Sequence, residues 1–140
     1  MPTTRDQIVD TARKYLHVPW VHQGRNKHGL DCVGLLFIVA RDLGIELRDV
    51  TGYTKFYNPK TLTKKFHESN CKEVPLNKLI AGDIVVVNVG RAPLHVGILS
   101  MKNGTEHIIH SIAALSHVRE EPVDFLMRKK FHTGFSFPGV

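Results

Sequence analysis

Cysteine is scarce in this chain of 140 residues, with only two, and tryptophan occurs once. Two thiols cannot build the disulfide framework that staples small secreted domains. Cys32 opens an apolar stretch and Cys71 lies in the polar Ser69-Asn70-Cys71-Lys72, so both read as free. Long apolar runs are missing as well. The longest, Val33 to Ala40, is too short to cross a bilayer, which excludes membrane insertion by a helix. The N-terminal Met1-Pro2-Thr3-Thr4-Arg5-Asp6 lacks the apolar stretch of a secretory signal, so the expectation is a protein made in the cytoplasm. No repeat or low-complexity tract is present. Acidic residues are the minority, 13 against 19 Lys and Arg, for a formal net charge of +6. The basic residues are scattered, and their densest cluster is only Arg128-Lys129-Lys130, so the charge reads as a solvated face and not as a nucleic-acid footprint. The same charge favours approach to any polyanion, an anionic cell envelope included.

What is present suits one domain, residues 1–140, large enough for its own core. Ile8, Val9, Ala12, Tyr15 and Leu16 recur at helical spacing over Asp6–Leu16. Asp31 can cap a second helix whose Leu35, Leu36, Val39, Ala40 and Leu43 form an apolar face and which stops at Gly44. A polar and aromatic stretch follows, with a short helix predicted between Pro59 and Glu68, and with Tyr53, Phe56 and Tyr57 as residues for packing or for a cleft. From Ala81-Gly82-Asp83 onward the chain turns β-branched. Strands are predicted at Ile84–Val89, His95–Met101, Glu106–Ile112, Val118–Val123 and Phe131–Phe137, with a short helix at Asp124–Lys130. Helices followed by consecutive strands indicate an α+β fold with N-terminal helices packed on an antiparallel sheet.

One turn allows a sharper reading. Lys102-Asn103-Gly104-Thr105 centres Asn-Gly in a two-residue hairpin of type I′. If Lys102 faces Thr105, then His95 faces Ile112, Gly97 faces His110 and His107 faces Ser100. His95 and His110 then share one face as diagonal neighbours, roughly 7–8 Å apart at the backbone, with only Gly97 between their rings. His107 points the other way. Cys32 meanwhile falls in the first turn of its helix, where free backbone N–H groups favour thiolate over thiol. A thiol so placed and a strand-borne histidine pair are the parts of a cysteine nucleophile with its base.

The motifs Gly29-Leu30-Asp31-Cys32-Val33-Gly34-Leu35, Gly82-Asp83, Leu94-His95-Val96-Gly97-Ile98 and Ile109-His110-Ser111, in this order, resemble the NlpC family of papain-like cell-wall peptidases from Thr3 to about Ile112. The resemblance implies Cys32 as nucleophile, His95 as general base and acid, and His110 as the polar residue that orients the base. It implies hydrolysis of amide bonds in peptidoglycan stem peptides, of the D-glutamyl-diaminopimelate type, without a cofactor or metal. Two positions depart from the family pattern. Val33 stands where serine is usual, and Trp20, in Pro19-Trp20-Val21-His22, stands where a tyrosine is common. Trp20 and His22 are therefore candidates for the oxyanion site or the cleft, beside the backbone N–H of Cys32. The short chain, its Gly-Leu-Asp-Cys-Val-Gly-Leu motif and its Phe-Pro-Gly tail look like members from phage-tail and gene-transfer-agent clusters, which implies phage tail proteins as partners and assembly into a tail or virion.

The bland alternatives are a buried structural Cys32 and satisfied core histidines. His107 reads as structural, Asp31 as a cap, Asp83 as a turn residue, and His17, His28, His67, His117 and His132 as surface groups without ligand spacing. The rival functions are a thiol amidase or acyltransferase using the same residues, a three-ligand zinc site on Cys32, His95 and His110, and a non-catalytic tail-structure or nucleic-acid module.

Overall fold

A computed structural model describes residues 3–49, 59–90 and 92–140. Tyr53, Phe56 and Tyr57 lie outside the described residues. In chain order the elements are helix α1 (Arg5–Arg13), the short strands β1 (Arg25–Asn26) and β2 (Gly29–Leu30), helices α2 (Cys32–Asp42) and α3 (Pro59–Glu68), strands β3 (Lys72–Val74), β4 (Ile84–Val89), β5 (Ala92–Lys102), β6 (Thr105–Ser111) and β7 (Val118–Pro122), helix α4 (Phe125–Lys129) and strand β8 (Phe131–Ser136). Among the described residues no helix is long and apolar enough to cross a membrane.

Local chemistry accounts for the element ends. Thr4 and Gln7 form a reciprocal capping box at the start of α1, with the Gln7 N–H donating to Thr4 Oγ1 at 3.2 Å and the Thr4 N–H to Gln7 Oε1 at 2.9 Å. The helix ends at Arg13, earlier than the apolar spacing suggested, because residues 14–17 turn away through His17 at φ 76°. Helix α2 ends before Gly44, whose φ of 69° is the left-handed conformation that glycine adopts without strain. Asn103 and Gly104 both have positive φ, 53° and 77°, as a type I′ turn requires.

Six antiparallel strands form one sheet in the order β3-β8-β4-β5-β6-β7, with β1 and β2 as a separate ribbon. Across the β5–β6 hairpin Lys102 faces Thr105, Ser100 faces His107 and Ile98 faces Ile109, which is the register expected from the turn. Strand β3 was not anticipated. It has three residues of mostly exposed, polar character and pairs with the distant β8, so neither length nor alternation marks it. The sheet is buried on both faces. Against one face pack α1 and α2, where Ile8, Leu35, Leu36 and Val39 join Val96, Ile98, Ile109 and Phe135. On the other face Val85, Val87, Leu99, Ile108 and Phe131 form a smaller core with Leu79. Burying a Leu or Ile side chain contributes about 2 kcal/mol, so the helix-covered core carries most of the stability.

Candidate active site

The site is built from the turn that starts α2. Asp31, 1% exposed, places its carboxylate over the helix N-terminus. Its Oδ1 accepts from the Gly34 N–H at 2.8 Å and from Arg25 Nη1 at 2.9 Å, and its Oδ2 accepts from the Gln23 N–H at 2.8 Å. Arg25 also donates to Gly24 O and to Asp49, which pins the loop before β1 against the helix start. The loop comes this close only because Gly34 has no side chain: a Cβ there would lie 2.1 Å from Gly24 O. Cys32 is held in the first helical turn of this clamp, buried at 4% exposure. The positive end of the helix dipole favours negative charge on its sulfur.

The histidines come from β5 and β6. His95 Nε2 and His110 Nδ1 are 2.9 Å apart, both rings are buried, and the ring centroids are separated by 5.1 Å. Gly97 makes the contact possible, since a Cβ on it would meet Ile108 Cδ1 at 2.7 Å and His110 Cβ at 3.1 Å. On its other edge, His110 Nε2 lies 2.9 Å from Glu121 Oε2 on β7. Glu121 was missed in the sequence. It faces Ile108 and so lies diagonal to His110 on the same sheet face, but the loop between β6 and β7 carries no two-residue turn that would fix this register. His107 takes the opposite parity, with Nδ1 3.0 Å from Thr105 O, away from the pair. His110→Ala is therefore expected to lower turnover about 10- to 100-fold, and His107→Ala to leave it nearly unchanged, as steady-state kinetics on a muropeptide would read.

Burial governs the charge of the pair. Desolvation, with His110 alongside, pushes the His95 pKa down to about 3, and desolvation also lowers that of His110 against the opposing pull of Glu121. Both imidazoles are thus neutral at rest, and positive charge on His95 belongs to the moment when it takes a proton from the thiol. The folded pKa lies below the unfolded one, so the unfolded chain takes up the proton first and stability falls as the pH drops from about 6.5 towards 3. His95→Gln is expected to lose about 1 kcal/mol less than the parent between pH 7.5 and 5.5, read from urea midpoints at the two values.

A cleft of about 560 Å³ opens in front of the two histidines, lined also by Val87, Asn88, Ile112, Met127, Lys129 and Lys130. Cys32, Trp20 and His22 do not line it; Trp20 and His22 sit on the loop before β1, with their rings 6.3 Å apart and the backbone N–H of Trp20 donating to Ser116 O at 2.8 Å. The structure brings His95 and His110 together. It sets Cys32 at the same end of the sheet but in the core of the opposite face, with Val96 and Ile98, whereas His95 faces Val87 of the smaller core. One bond joins the two sides there: Ser111, next to His110, donates through Oγ to the carbonyl of Leu30, two residues before Cys32, at 2.6 Å. Cys71 is buried too, in a place without a helix start, and burial pushes its thiol up to about 12. Neither Cys32 nor Cys71 is in a disulfide.

Helices packed on an antiparallel sheet, with a cysteine capped into the first turn of a buried helix and a histidine pair on adjacent strands, define the papain-like α+β class. The chain belongs to the NlpC/P60 family, whose model matches residues 17–135. Among solved structures, the NlpC/p60 domain of the peptidoglycan hydrolase SagA is similar at 24% identity and a TM-score of 0.66, over 96% of this chain and all of that one. An NlpC/P60 family protein from Bacillus cereus is similar at 20% identity and a TM-score of 0.72, over 98% of this chain and 41% of the larger one. An N-acetylmuramoyl-L-alanine amidase from Bacteroides uniformis is similar at 14% identity and a TM-score of 0.59, over 94% and 97%. No curated protein sequence matches the chain.

Proposed function

We propose that the protein is a cysteine-dependent hydrolase of amide bonds in peptidoglycan stem peptides. The observation that carries this reading is the buried 2.9 Å contact between His95 and His110 in a chain of the NlpC/P60 family. The chemistry requires the Cys32 thiol to reach the Nδ1 edge of His95. The engagement of His95 Nε2 with His110 leaves Nδ1 as the ring atom open to a proton, and the Ser111–Leu30 bond ties the start of α2 to the strand of His110, at the end of the sheet where the thiol has to come round to the histidine face. Cys32 attacks the amide carbonyl while His95 takes its proton. His95 then delivers that proton to the leaving amine, and a water deprotonated by His95 releases the acyl group. The backbone N–H of Cys32, in the first turn of α2, is the donor this reading assigns to the oxyanion. A D-glutamyl-diaminopimelate stem as substrate rests on the resemblance of the nucleophile and histidine motifs to the family's cell-wall peptidases. Phage tail proteins as carriers rest on the likeness of the nucleophile motif to tail-associated members.

The likeness to the Bacteroides uniformis amidase favours a second reading, cleavage between muramic acid and L-alanine. Incubation with defined muropeptides, read by mass spectrometry, decides between them. Release of a free D-glutamyl terminus is the expected result, a free L-alanyl terminus establishes the amidase, and intact muropeptides overturn the hydrolase.

A further inference from the structure

Beyond the pair, a third side chain continues the line of contacts. His95 Nε2 meets His110 Nδ1 at 2.9 Å, and His110 Nε2 meets Glu121 Oε2 at 2.9 Å, so three residues on three adjacent strands form one chain of hydrogen bonds. The two ends of this chain are unlike. Glu121 is a carboxylate and only accepts, whereas each neutral imidazole carries one N–H and one lone pair. We propose that Glu121 is a positioning residue that fixes the tautomer of both histidines and thereby makes His95 Nδ1 the basic atom of the site.

The assignment follows bond by bond. Glu121 Oε2 accepts, so His110 Nε2 carries the hydrogen and His110 Nδ1 is left with a lone pair. That lone pair accepts from His95 Nε2–H. His95 Nδ1 is consequently bare, on the edge that the mechanism assigns to the thiol. The opposite set of tautomers would place a hydrogen on His95 Nδ1 and leave the base with nothing to take a proton. The other charged groups around the pair cannot do this work. Arg119, beside His110 on β7, and Lys129 and Lys130 at the cleft are donors without a lone pair. Burial supports the assignment by keeping His110 neutral, since a charged His110 would present N–H on both edges. In the reaction the Cys32 proton moves to His95 Nδ1 and from there to the leaving amine. The hydrogens on the two Nε2 atoms stay in place, and the Glu121 charge faces the imidazolium through His110 without receiving a proton.

This inference rests on the hydrolase reading for its role in turnover, but the tautomers can be read without any substrate. Long-range proton–nitrogen correlation spectra of the ¹⁵N-labelled protein at pH 7.5 should show both His95 and His110 as Nε2–H. A His110 carrying its hydrogen on Nδ1 overturns the proposal, and because this is the unaltered protein no folding defect can obscure the result. Glu121→Leu should remove the single tautomer of His110 and lower kcat about 100-fold with KM within about twofold. Glu121→Gln, whose Oε1 still accepts, should keep the tautomers and lose about 10-fold or less. Unchanged tautomers and unchanged kcat in Glu121→Leu would overturn the relay while leaving Cys32, His95 and hydrolysis untouched. Conversely, a protein that cleaves no muropeptide yet shows both Nε2–H tautomers would retain the relay and lose the hydrolase.

Discussion

Cys32→Ala is expected to abolish hydrolysis of muropeptides, a loss of about 10⁵-fold or more, while the fold survives. The size of the effect follows from covalent chemistry: without the sulfur no acyl-enzyme forms, and the histidine pair has only water to activate. The fold survives because a methyl group replaces a thiol at a buried position, leaving the Asp31 cap and the packing of α2 in place, at a cost of about 1 kcal/mol. Circular dichroism and a urea titration separate the two effects. The companion measurement is alkylation of the parent with iodoacetamide near neutral pH, where Cys32 should be labelled faster than Cys71, whose burial holds its thiol near 12. Wild-type turnover in the alanine variant would sink the mechanism, and equal labelling of the two thiols would argue that Cys32 is a core residue.

The second large effect is expected at Gly34, on stability first. An alanine Cβ would stand 2.1 Å from Gly24 O, 3.0 Å from Arg25 Nη1 and 3.1 Å from Asp31 Oδ1. The first of these is backbone, so the loop before β1 has to move, and the carboxylate bonds of Asp31 move with it. Gly34→Ala should destabilise the protein by about 3 kcal/mol and lower its activity, although helix propensity alone predicts a gain of up to about 1 kcal/mol. Urea denaturation reads the sign directly: a more stable Gly34→Ala would show that the clamp is slack.

How far the sequence could be read depended on the distance between partners along the chain. The capped start of α2, its stop at Gly44, the helix at Pro59–Glu68 and the β5–β6 register all depend on residues within one element or across a two-residue turn, and all four agree with the structure. The contact of His95 with His110 followed from that turn. Three features escaped because their partners meet only once the sheet has formed. Glu121 reaches His110 across a loop of six residues that fixes no register. The Arg25 clamp on Asp31 needs the β1–β2 ribbon to fold back. The strand Lys72–Val74 acquires its meaning from β8 alone.

That last pairing bears on how the protein comes to exist. Strand β8 is the final strand in the chain but lies inside the sheet, between β3 and β4. While a ribosome has released the chain only as far as Lys130, one edge of β4 has no partner, β3 has nothing to bind, and Phe135 is missing from the core under the helices. Nascent chains therefore wait, with an open strand edge beside the one that bears His95, until β8 emerges, and they complete the sheet in a step dominated by contacts between distant residues. A chain stopped before Phe131 should be found bound to chaperones or in aggregates, not as a smaller working enzyme.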